Sequence, residues 1–554
     1  MKKIVIDPVT RIEGHLRVEV LVDEQNNNRV QDAFVSGQLF RGIETILKGR
    51  DPRDAGLLAG RICGVCTNSH FRAAVSCVED AYALEVPENA GIIRELMAQA
   101  LFLQDHVVHF YHLQSLDFVD VTKALEADPK EAAKTAQHYC DDPYRNSPAH
   151  YESVKQKLQT FVGAGKLGPF AKAYWGHTDY RLTPEENLIL LSHYLEALKF
   201  QTSISKAVAI FGGKTPHPQS IVVGGVTSAM DMLNPARVND YLFIIKEAKD
   251  FIDRAYLPDM KLLVSRYKEE IKTGSGRANG NFLSVGGFSF SSGSLFESGV
   301  IFNHAFDVPH PFEPSCITEH VDRAWYDEKE PQRPHYTDLH PDGTLKTETK
   351  EDKYSWVKAP RYKGETMECG PLARLLVSYA KKNPLVTPYV DAFLEATKLE
   401  LIDLSTTLGR NAARAIETQY IAEYLFRFVS DLLQNLTYYD TQTWGKYDFE
   451  ALPKSAKGEA FFEVPRGVLS HFVQIEAQKI AHYSVIAPTT WNATPKNCDG
   501  KRGAYEEALI GVTLKETDQP LEVLKVIRSF DPCLACAVHV IDASGRELGS
   551  YKVT

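Results

Sequence analysis

Two Cys-x-x-Cys pairs, each followed closely by a histidine, lie at opposite ends of the sequence. They are RICGVCTNSH at 61–70 and DPCLACAVH at 531–539. The two sulfurs of one pair can converge on a single ion, and four thiolates select soft or borderline metals such as zinc, iron or nickel. Either pair alone could be a redox dithiol or a chance pair of core cysteines, but the two together predict a metal site.

The distance between the pairs in sequence constrains the site. A zinc ribbon usually has its second pair within a few dozen residues, so one shared ion would here join an N-terminal to a C-terminal segment. Four thiolates bring negative charge into such a deep site, and metal ions and nearby cations must offset it. Arg61 and Arg466 are the candidate cations.

A polar stripe lies within an otherwise apolar helical run. Asp105, His109 and His112 stand at positions i, i+4 and i+7, which share one face of an α-helix. Such a stripe could be a carboxylate-histidine metal site, a proton relay or a buried hydrogen-bond network, and the last is usually the commonest.

The composition excludes several classes of protein. The 554 residues carry a formal net charge of -10 with 44% hydrophobic residues, which is typical of globular proteins and argues against a nucleic-acid partner. No run approaches the roughly 18 apolar residues of a membrane span, and the N-terminus lacks a secretory signal. A partner could still export the folded chain. Nine cysteines, an odd number, are too sparse for a disulfide scaffold.

The pattern of apolar residues predicts a mainly helical fold that positions these motifs. A β-hairpin is expected at 15–36, and a helical core at about 87–436. Its long helices follow apolar runs that lie at 87–117, 184–211, 234–273, 371–398 and 408–436. The segments 274–298 and 308–365 read as extended excursions with short strands. The predicted class is α+β, predominantly α, with the metal site buried between the N- and C-terminal segments.

Six further segments accompany the cysteine motifs in a fixed order: RIEGH at 11–15, RGIE at 41–44, QDHVVHFYHL at 104–113, GGKTPHP at 212–218, EVPRGVLSH at 463–471 and APTTWN at 487–492. Together the motifs resemble the large subunit of nickel-iron hydrogenases over the whole chain. TNSH after the first pair and the DHVVHFYHL segment look most like the respiratory, membrane-associated uptake group. The resemblance implies reversible heterolytic cleavage of H2 into protons and electrons, most often in the direction of H2 uptake.

The resemblance also implies a ligand set. Cys63, Cys66, Cys533 and Cys536 would ligate nickel, with Cys66 and Cys536 also bridging to an iron that carries cyanide and carbon monoxide. A structural zinc site is the alternative for these four residues.

Several other residues acquire roles by the same resemblance. Arg466, in a PRG turn with Pro465, would lie over the metals, and Pro465, Leu469 and Thr489 would bind the cofactor, Thr489 through its hydroxyl. Without the motif, Arg466 would be read as an ordinary ion pair and Thr489 as a loop residue that satisfies the backbone. Asp105 and Asp531 would flank the arginine.

Glu13 and His70 complete the expected catalytic set. Glu13 would be the first proton acceptor on the way out of the site, a role that needs a carboxyl group whose pKa burial can tune. Without the resemblance it is a solvated residue at a strand end. His70 would hydrogen-bond a bridging cysteine sulfur.

A magnesium site is the second expected metal site. Glu44, the backbone carbonyl of Val485 and His539 match the family pattern, and hard oxygen ligands suit this ion. The alternative is that Glu44 pairs with Arg41 or Arg53.

The remaining cysteines bear on the partners. They show no clustered spacing for an iron-sulfur centre, so electrons would leave through an iron-sulfur small subunit, and then a membrane cytochrome b or another acceptor; these cysteines are Cys77, Cys140, Cys316, Cys369 and Cys498. By resemblance, residues 1–539 form one large domain with a C-terminal metal-ligand segment at 460–539. Residues 540–554 would be a propeptide, removed by a maturation protease that cuts His539-Val540.

The resemblance favours a periplasmic location through export by the partner, with the cytoplasm as the alternative.

Three related classes of protein are the rival interpretations of the function. The quinone-site subunit of respiratory dehydrogenases lacks the paired cysteines, so their presence here argues against that class. Some hydrogen sensors replace the histidine at position 70 with glutamine, and the deazaflavin-linked branch tends to end its second motif with arginine instead of His539. A hydrogen-sensing regulatory protein is the remaining alternative function.

Overall fold

The structure is a computed structural model that describes residues 1–39, 41–140, 142–165, 174–290, 293–326 and 353–537. The predicted tail, 540–554, and His539 lie outside these residues. Within the described residues, no helix is long and apolar enough to cross a membrane.

Helices account for about half of the described chain and predominate over strands, as predicted. The α-helices are α1 Ile43–Leu47, α2 Ala55–Ala59, α3 Thr67–Ala81, α4 Glu88–Val108, α5 Val121–Ala124, α6 Pro129–Tyr139, α7 Pro148–Gly163, α8 Pro184–Gly212, α9 Ala229–Met232, α10 Pro235–Phe251, α11 Leu257–Arg266, α12 Lys268–Lys272, α13 Pro371–Ala380, α14 Thr387–Thr397, α15 Thr407–Thr437, α16 Pro488–Asn492, α17 Ala504–Leu509, α18 Leu521–Ser529 and α19 Leu534–Ala537.

The strands form small antiparallel sheets. They are β1 Lys2–Ile6, β2 Leu16–Asp23, β3 Arg29–Gly37, β4 Ile221–Val222, β5 Gly225–Val226, β6 Phe282–Phe290, β7 Gly293–Ile301, β8 Ile317–His320, β9 Ala359–Tyr362, β10 Ala456–Val464, β11 Gly467–Glu476 and β12 Lys479–Ile486. The predicted hairpin at 15–36 corresponds to β2 and β3, and β1 adds a third strand on the free edge of β2.

Local sequence explains where the long core helices begin. At the start of α8, the Thr183 hydroxyl accepts a hydrogen bond from the backbone N–H of Glu186, whose carboxylate accepts one from the N–H of Thr183. This capping box, with Pro184 in the first turn, satisfies N–H groups that have no partner inside the helix. Helix α4 packs against both α8 and α15, and buried side chains of all three helices belong to the largest apolar core.

Two predicted helical runs are interrupted. The run 371–398 is two helices, because the chain turns at Lys382, which has a left-handed φ of 56°, and Pro384 cannot donate a helical hydrogen bond. The run 234–273 contains a π-helical turn at Ile252–Tyr256. A second π-helical turn, His109–Gln114, continues α4.

The three-stranded sheet β10–β11–β12 was not predicted from the sequence. Strand β11 lies in the middle of this sheet, and almost all of its residues are buried. Helix α3 packs against β10 and β11. Because α3 begins directly after Cys66, this sheet supports the N-terminal cysteine pair.

Candidate metal centre

Four buried thiols from the two ends of the chain converge on one point. The Sγ atoms of Cys63, Cys66, Cys533 and Cys536 all lie within 4.8 Å of one another, and none of the four is in a disulfide. Sγ of Cys63 lies 3.4 Å from that of Cys533, and Sγ of Cys66 lies 3.1 Å from that of Cys536. Four thiol groups at these separations can share a soft or borderline metal ion.

The N-terminal pair is positioned by the turn into α3. Cys63 follows a 3-10 turn, and Cys66 is the residue that precedes the first turn of α3. The backbone N–H groups of Val65 and Cys66 donate to Sγ of Cys63 over 3.2 and 3.3 Å. Backbone donors aimed at sulfur favour its ionised form, which is the form that binds metals.

The C-terminal pair is joined to the N-terminal segment by backbone pairing. Glu13 N–H donates to the Pro532 carbonyl over 3.2 Å, and Leu534 N–H donates to the Glu13 carbonyl over 2.9 Å. Gly14 has a φ of 82°, and a Cβ there would lie 2.7 Å from Cβ of Leu534. Only glycine fits this close approach. The structure thus brings the N- and C-terminal segments together at a buried site, as predicted.

Arg466 is the buried cation beside the thiols. It lies in the turn between β10 and β11, and its Nη1 donates to Oδ2 of Asp105 over 2.9 Å. Its Nη2 lies 3.1 Å from Oδ1 of Asp531. Arg61, the other candidate cation, is exposed at the surface. Of the two, Arg466 therefore offsets charge in the buried site.

The buried acids beside Arg466 differ in their pKa. Burial raises the pKa of Asp105 to about 7, although Arg466 opposes the shift. Burial also acts to raise the pKa of Asp531, but the charges of Arg466, Arg414 and the neighbouring histidines together outweigh it, and the pKa falls below its ordinary value. Asp531 therefore stays ionised near neutral pH.

The thiols themselves cannot all ionise without a cation. Hydrogen bonds from Cys533 and Cys536 hold the pKa of Cys63 well below its ordinary value. Burial raises the pKa values of Cys533 and Cys536 well above theirs. A metal ion at the centre would supply the positive charge that lets four thiolates coexist, so the donor set fits a metal cofactor.

Glu13 connects the thiols with the surface. Its Oε2 accepts hydrogen bonds from Sγ of Cys533 over 3.2 Å and from the N–H of Ala535 over 2.9 Å. The residue is only partly buried. Burial raises its pKa above the ordinary value, and the nearby charge of Cys63 adds to the shift. A carboxyl group in this position can exchange a proton with a sulfur.

His70 heads a buried chain of hydrogen bonds. Its Nδ1 lies 3.2 Å from Nε2 of His471, and Nδ1 of His471 lies 2.6 Å from the hydroxyl of Tyr483. Burial lowers the pKa of His70 to about 4, so it is neutral. His471 and Tyr483 were not predicted as site residues, although His471 ends the EVPRGVLSH segment.

Two of the other residues expected to bind the cofactor, Thr489 and Pro465, adjoin Cys533 and Arg466 respectively. Thr489 Oγ1 accepts a hydrogen bond from the backbone N–H of Cys533 over 3.1 Å. Pro465 directly precedes Arg466, and Leu469 lies on β11. All three side chains are buried.

Glu44 contacts the backbone N–H of Val485, whereas the predicted second metal site would use the carbonyl of Val485 as a ligand. Its Oε1 accepts from the Val485 N–H over 2.8 Å and lies 3.3 Å from Nζ of Lys358. Lys358 also lies 3.1 Å from Oε1 of Glu319. Lys358 and Glu319 are buried and were not predicted, since nothing in their sequence context marks them.

The alternative partners of Glu44 are engaged elsewhere. Arg41 donates to the carbonyls of Ile62 and Arg61, and Arg53 pairs with Asp51. Neither arginine is a partner of Glu44 within the described residues.

Comparisons with known proteins agree with this geometry. A protein-family model described as nickel-dependent hydrogenase matches residues 41–539, and a model described as HoxL-like matches residues 3–36. The chain belongs to the nickel-dependent hydrogenase family. The quinone-reactive Ni/Fe-hydrogenase large chain of Wolinella succinogenes is 46% identical to it, over 100% of this chain and 98% of the relative.

Other hydrogenases resemble the chain over nearly its whole length. The uptake hydrogenase large subunit of Rhizobium leguminosarum bv. viciae is 43% identical, with 100% of this chain and 97% of the relative covered. The solved Ni-Fe-Se hydrogenase of D. vulgaris Hildenborough, in the reduced state, superimposes with a TM-score of 0.80 at 34% identity, over 97% of this chain and 100% of that chain.

The polar stripe of this hydrogenase chain divides at the end of α4. Asp105 reaches Arg466, but Nε2 of His109 lies 2.6 Å from the carbonyl oxygen of Arg528, and Nε2 of His112 lies 3.4 Å from that of Tyr194. The π-helical turn beginning at His109 changes the rotation per residue, so the spacing of seven no longer keeps one face. Each of these histidines is therefore hydrogen-bonded to a backbone carbonyl of another segment.

Proposed function

We propose that this chain is the catalytic large subunit of an uptake nickel-iron hydrogenase, which oxidises H2 to protons and electrons. One observation carries the proposal: four buried thiols from opposite ends of the chain meet beside an arginine that is held between two carboxylates. A structural zinc site has no need of a buried arginine and a proton-accepting glutamate beside its ligands. The alternative zinc assignment is therefore the weaker one.

Cys63, Cys66, Cys533 and Cys536 would hold the nickel-iron centre through their four sulfurs. The iron would carry cyanide and carbon monoxide. When bound, such a centre supplies adjacent Lewis-acidic metals and basic thiolate sulfur, the combination that heterolytic cleavage of H2 requires.

Arg466 would stabilise charge on the face of the centre that it covers. The guanidinium group is permanently positive, and the carboxylates of Asp105 and Asp531 fix its orientation. Its Nε has no hydrogen-bond partner within the described residues and is available to a ligand of the centre. Thr489, Pro465 and Leu469 would bind the cofactor, Thr489 through its hydroxyl, and exclude water.

Glu13 would carry the proton away. The thiol of Cys533 donates to Oε2 of Glu13 over 3.2 Å, which is within reach for direct proton transfer. The elevated pKa of Glu13 suits a group that must both accept and release a proton. His70 would tune the sulfur of a bridging cysteine through its neutral imidazole.

We also propose a magnesium ion bound by Glu44, the carbonyl of Val485 and His539. The buried group formed by Glu44, Glu319 and Lys358 holds two carboxylates against one ammonium. A divalent cation would offset the remaining negative charge, and it would prefer these oxygen ligands.

Electrons would leave through an iron-sulfur small subunit, and from there reach a membrane cytochrome b or another acceptor. The names of the relatives support this, since several are called large subunits or large chains and one is called quinone-reactive. The complex would face the periplasm after export by the small subunit. A maturation protease would cut His539-Val540. The intact mass of the mature chain should therefore match a chain that ends at His539.

Hydrogen-dependent reduction of a low-potential dye by the purified heterodimer tests the proposed function. Wild-type protein should reduce the dye under H2 and not under argon. Cys533→Ser, which removes one thiolate ligand, should abolish the reaction. Failure of the metal-loaded wild type to reduce the dye would overturn the proposal.

A further inference from the structure

The turn that carries Arg466 is held by a second buried arginine, Arg374 of α13. Nη1 of Arg374 donates to the carbonyl of Val464 over 2.8 Å, and Nη2 donates to that of Pro465 over 2.9 Å. These are the two carbonyls that directly precede Arg466. Arg374 is therefore bonded to the backbone from which the Arg466 side chain projects.

The other donors of Arg374 are fixed by two glutamates. Nε and Nη2 donate to the carboxylate of Glu417 over 2.8 and 2.6 Å, and Nη1 donates to Glu463 over 2.8 Å. The guanidinium lies 5.2 Å from the ring centre of Phe102 and 5.0 Å from that of Phe296. With five N–H groups and five hydrogen bonds, Arg374 is fully buried and has no freedom to turn.

Glu417 also contacts the helical turn that carries Asp105, the acid that pairs with Arg466. Oε1 of Glu417 lies 2.8 Å from Nε2 of His106. His106 follows Asp105, which accepts the hydrogen bond from Arg466. Glu417 is therefore connected to the turn of Arg466 through Arg374, and to the helix of Asp105 through His106. The hydrogen bond between Arg466 and Asp105 closes this ring.

Close packing between α13 and the turn supports this ring. Gly370 precedes α13 with a φ of 123°, and a Cβ there would lie 3.0 Å from the carbonyl oxygen of Arg466. A Cβ at Gly467, where φ is 131°, would lie 2.6 Å from Sγ of Cys369. The turn therefore has little room to move relative to the helix that bears Arg374.

We propose that Arg374 is a positioning residue, whose five hydrogen bonds hold Arg466 in place over the metal centre. This inference rests on the proposed function of Arg466 in hydrogen cleavage. Lysine cannot replace the planar fork of donors, because its ammonium is a single point charge on a flexible stem. A displacement of about 1 Å at a catalytic group can cost on the order of 100-fold in rate.

Arg94 offers a matched control within the same chain. It is buried, pairs with Glu79 through two hydrogen bonds of 2.9 and 2.7 Å, and donates to the carbonyls of Val222 and Gly225. Those carbonyls belong to the hairpin β4–β5. Arg94 lies 11 residues before Asp105 on α4, about 16 Å along the helix. R94K should therefore cost stability without disturbing Arg466.

The test compares the R374K and R94K variants as purified heterodimers. A crystal structure of R374K should show the distance from Nη1 of Arg466 to Oδ2 of Asp105 lengthened from 2.9 Å to more than about 3.5 Å. We expect kcat for H2 oxidation, per nickel, to fall at least tenfold in R374K, with little change in KM and a shifted infrared band of metal-bound cyanide. R94K should keep the wild-type kcat and band position.

An R374K variant with an unmoved Arg466 and a wild-type kcat and band position would overturn the inference. If R374K fails to accumulate, E463Q replaces it, because this variant weakens one hydrogen bond of Arg374. E463Q should lower kcat and shift the cyanide band. Wild-type values of both would contradict the inference. A wild-type heterodimer that holds nickel but oxidises no H2 would instead refute the proposed function.

Discussion

Glu13 and Cys533 are 520 residues apart in sequence, yet the carboxylate oxygen of one lies 3.2 Å from the sulfur of the other. The same two residues are joined by a parallel β-bridge. The N-terminal segment therefore supplies both a backbone support for the C-terminal cysteines and the acid proposed to accept their proton.

The variant Glu13→Gln should remain folded and bind metal but lose turnover. The amide oxygen of glutamine can still accept from Ala535, whereas the side chain cannot take up a proton. We expect H2 oxidation per nickel to fall about 100-fold or more, the contribution expected of a general base. Glu24→Gln, at an exposed turn, should match the wild type. An E13Q variant with more than about a third of wild-type turnover would show that the proton leaves by another route.

The variant Arg466→Lys should also be slow. A lysine carries all its donors on one nitrogen, so it cannot reproduce the planar fork with which arginine pairs with Asp105 and Asp531 and presents Nε in another direction. We expect kcat to fall at least tenfold, because roughly one charge-assisted hydrogen bond would be lost in the transition state. The control is Arg72→Lys, which alters an arginine paired with Glu95 away from the thiols. Equal turnover of R466K and R72K would contradict a role for the guanidinium.

Loss of one thiolate ligand should cost the metal. In Cys536→Ser we expect about a tenth or less of the wild-type nickel, because a serine hydroxyl remains protonated and is a poor ligand for a soft site. Cys77→Ser is the control, since Cys77 is also buried but donates to the carbonyls of Gly458 and His471. Elemental analysis of both heterodimers measures the difference. Full nickel occupancy in C536S would remove Cys536 from the ligand set.

Glu506 should make stability depend on pH. Burial raises its pKa to about 7, while the carboxyl of an unfolded chain titrates near 4.5. Between these values the folded state keeps a proton that the unfolded state has released, so its contribution to the free energy of unfolding falls as the pH rises. Above about pH 7 both states are ionised and the loss is complete.

The variant Glu506→Gln removes this titration and keeps an acceptor for the hydrogen bonds from Val35 and Tyr354. Denaturant unfolding should show that, between pH 4.5 and pH 8, the free energy of unfolding of E506Q rises relative to that of the wild type by up to about 3 kcal/mol. A constant difference between the two proteins across the range would show that Glu506 is not buried in its neutral form.

The sequence predicted the main features of the site because its chemistry lies in short motifs. The two cysteine pairs are recognisable from residue type and spacing, whereas the roles of Arg466 and Glu13 were expected from the family resemblance of the motifs around them. The structure brings all of these residues together. The helical runs predicted at 87–117, 184–211 and 408–436 were also confirmed, since their apolar residues recur at helical spacing, whereas 234–273 and 371–398 are interrupted. The expected roles of these residues stay predictions until the variants are measured.

What the sequence did not reveal depends on contacts between distant segments. Arg374, Glu417 and Lys358 are ordinary charged residues in their local context, and their importance follows from burial beside the site. The sheet β10–β11–β12 was missed because β11 is buried on both faces and lacks the alternation that marks a half-exposed strand. His112 was placed on the face of Asp105 because a π-helical turn has no local signature.

Metal analysis of the purified heterodimer, combined with infrared spectroscopy, tests the central claim most directly. We predict nickel and iron in the same preparation, together with absorption bands of metal-bound cyanide and carbon monoxide. Zinc alone, or iron without nickel and without those bands, would contradict the assignment and leave a structural site of four thiolates.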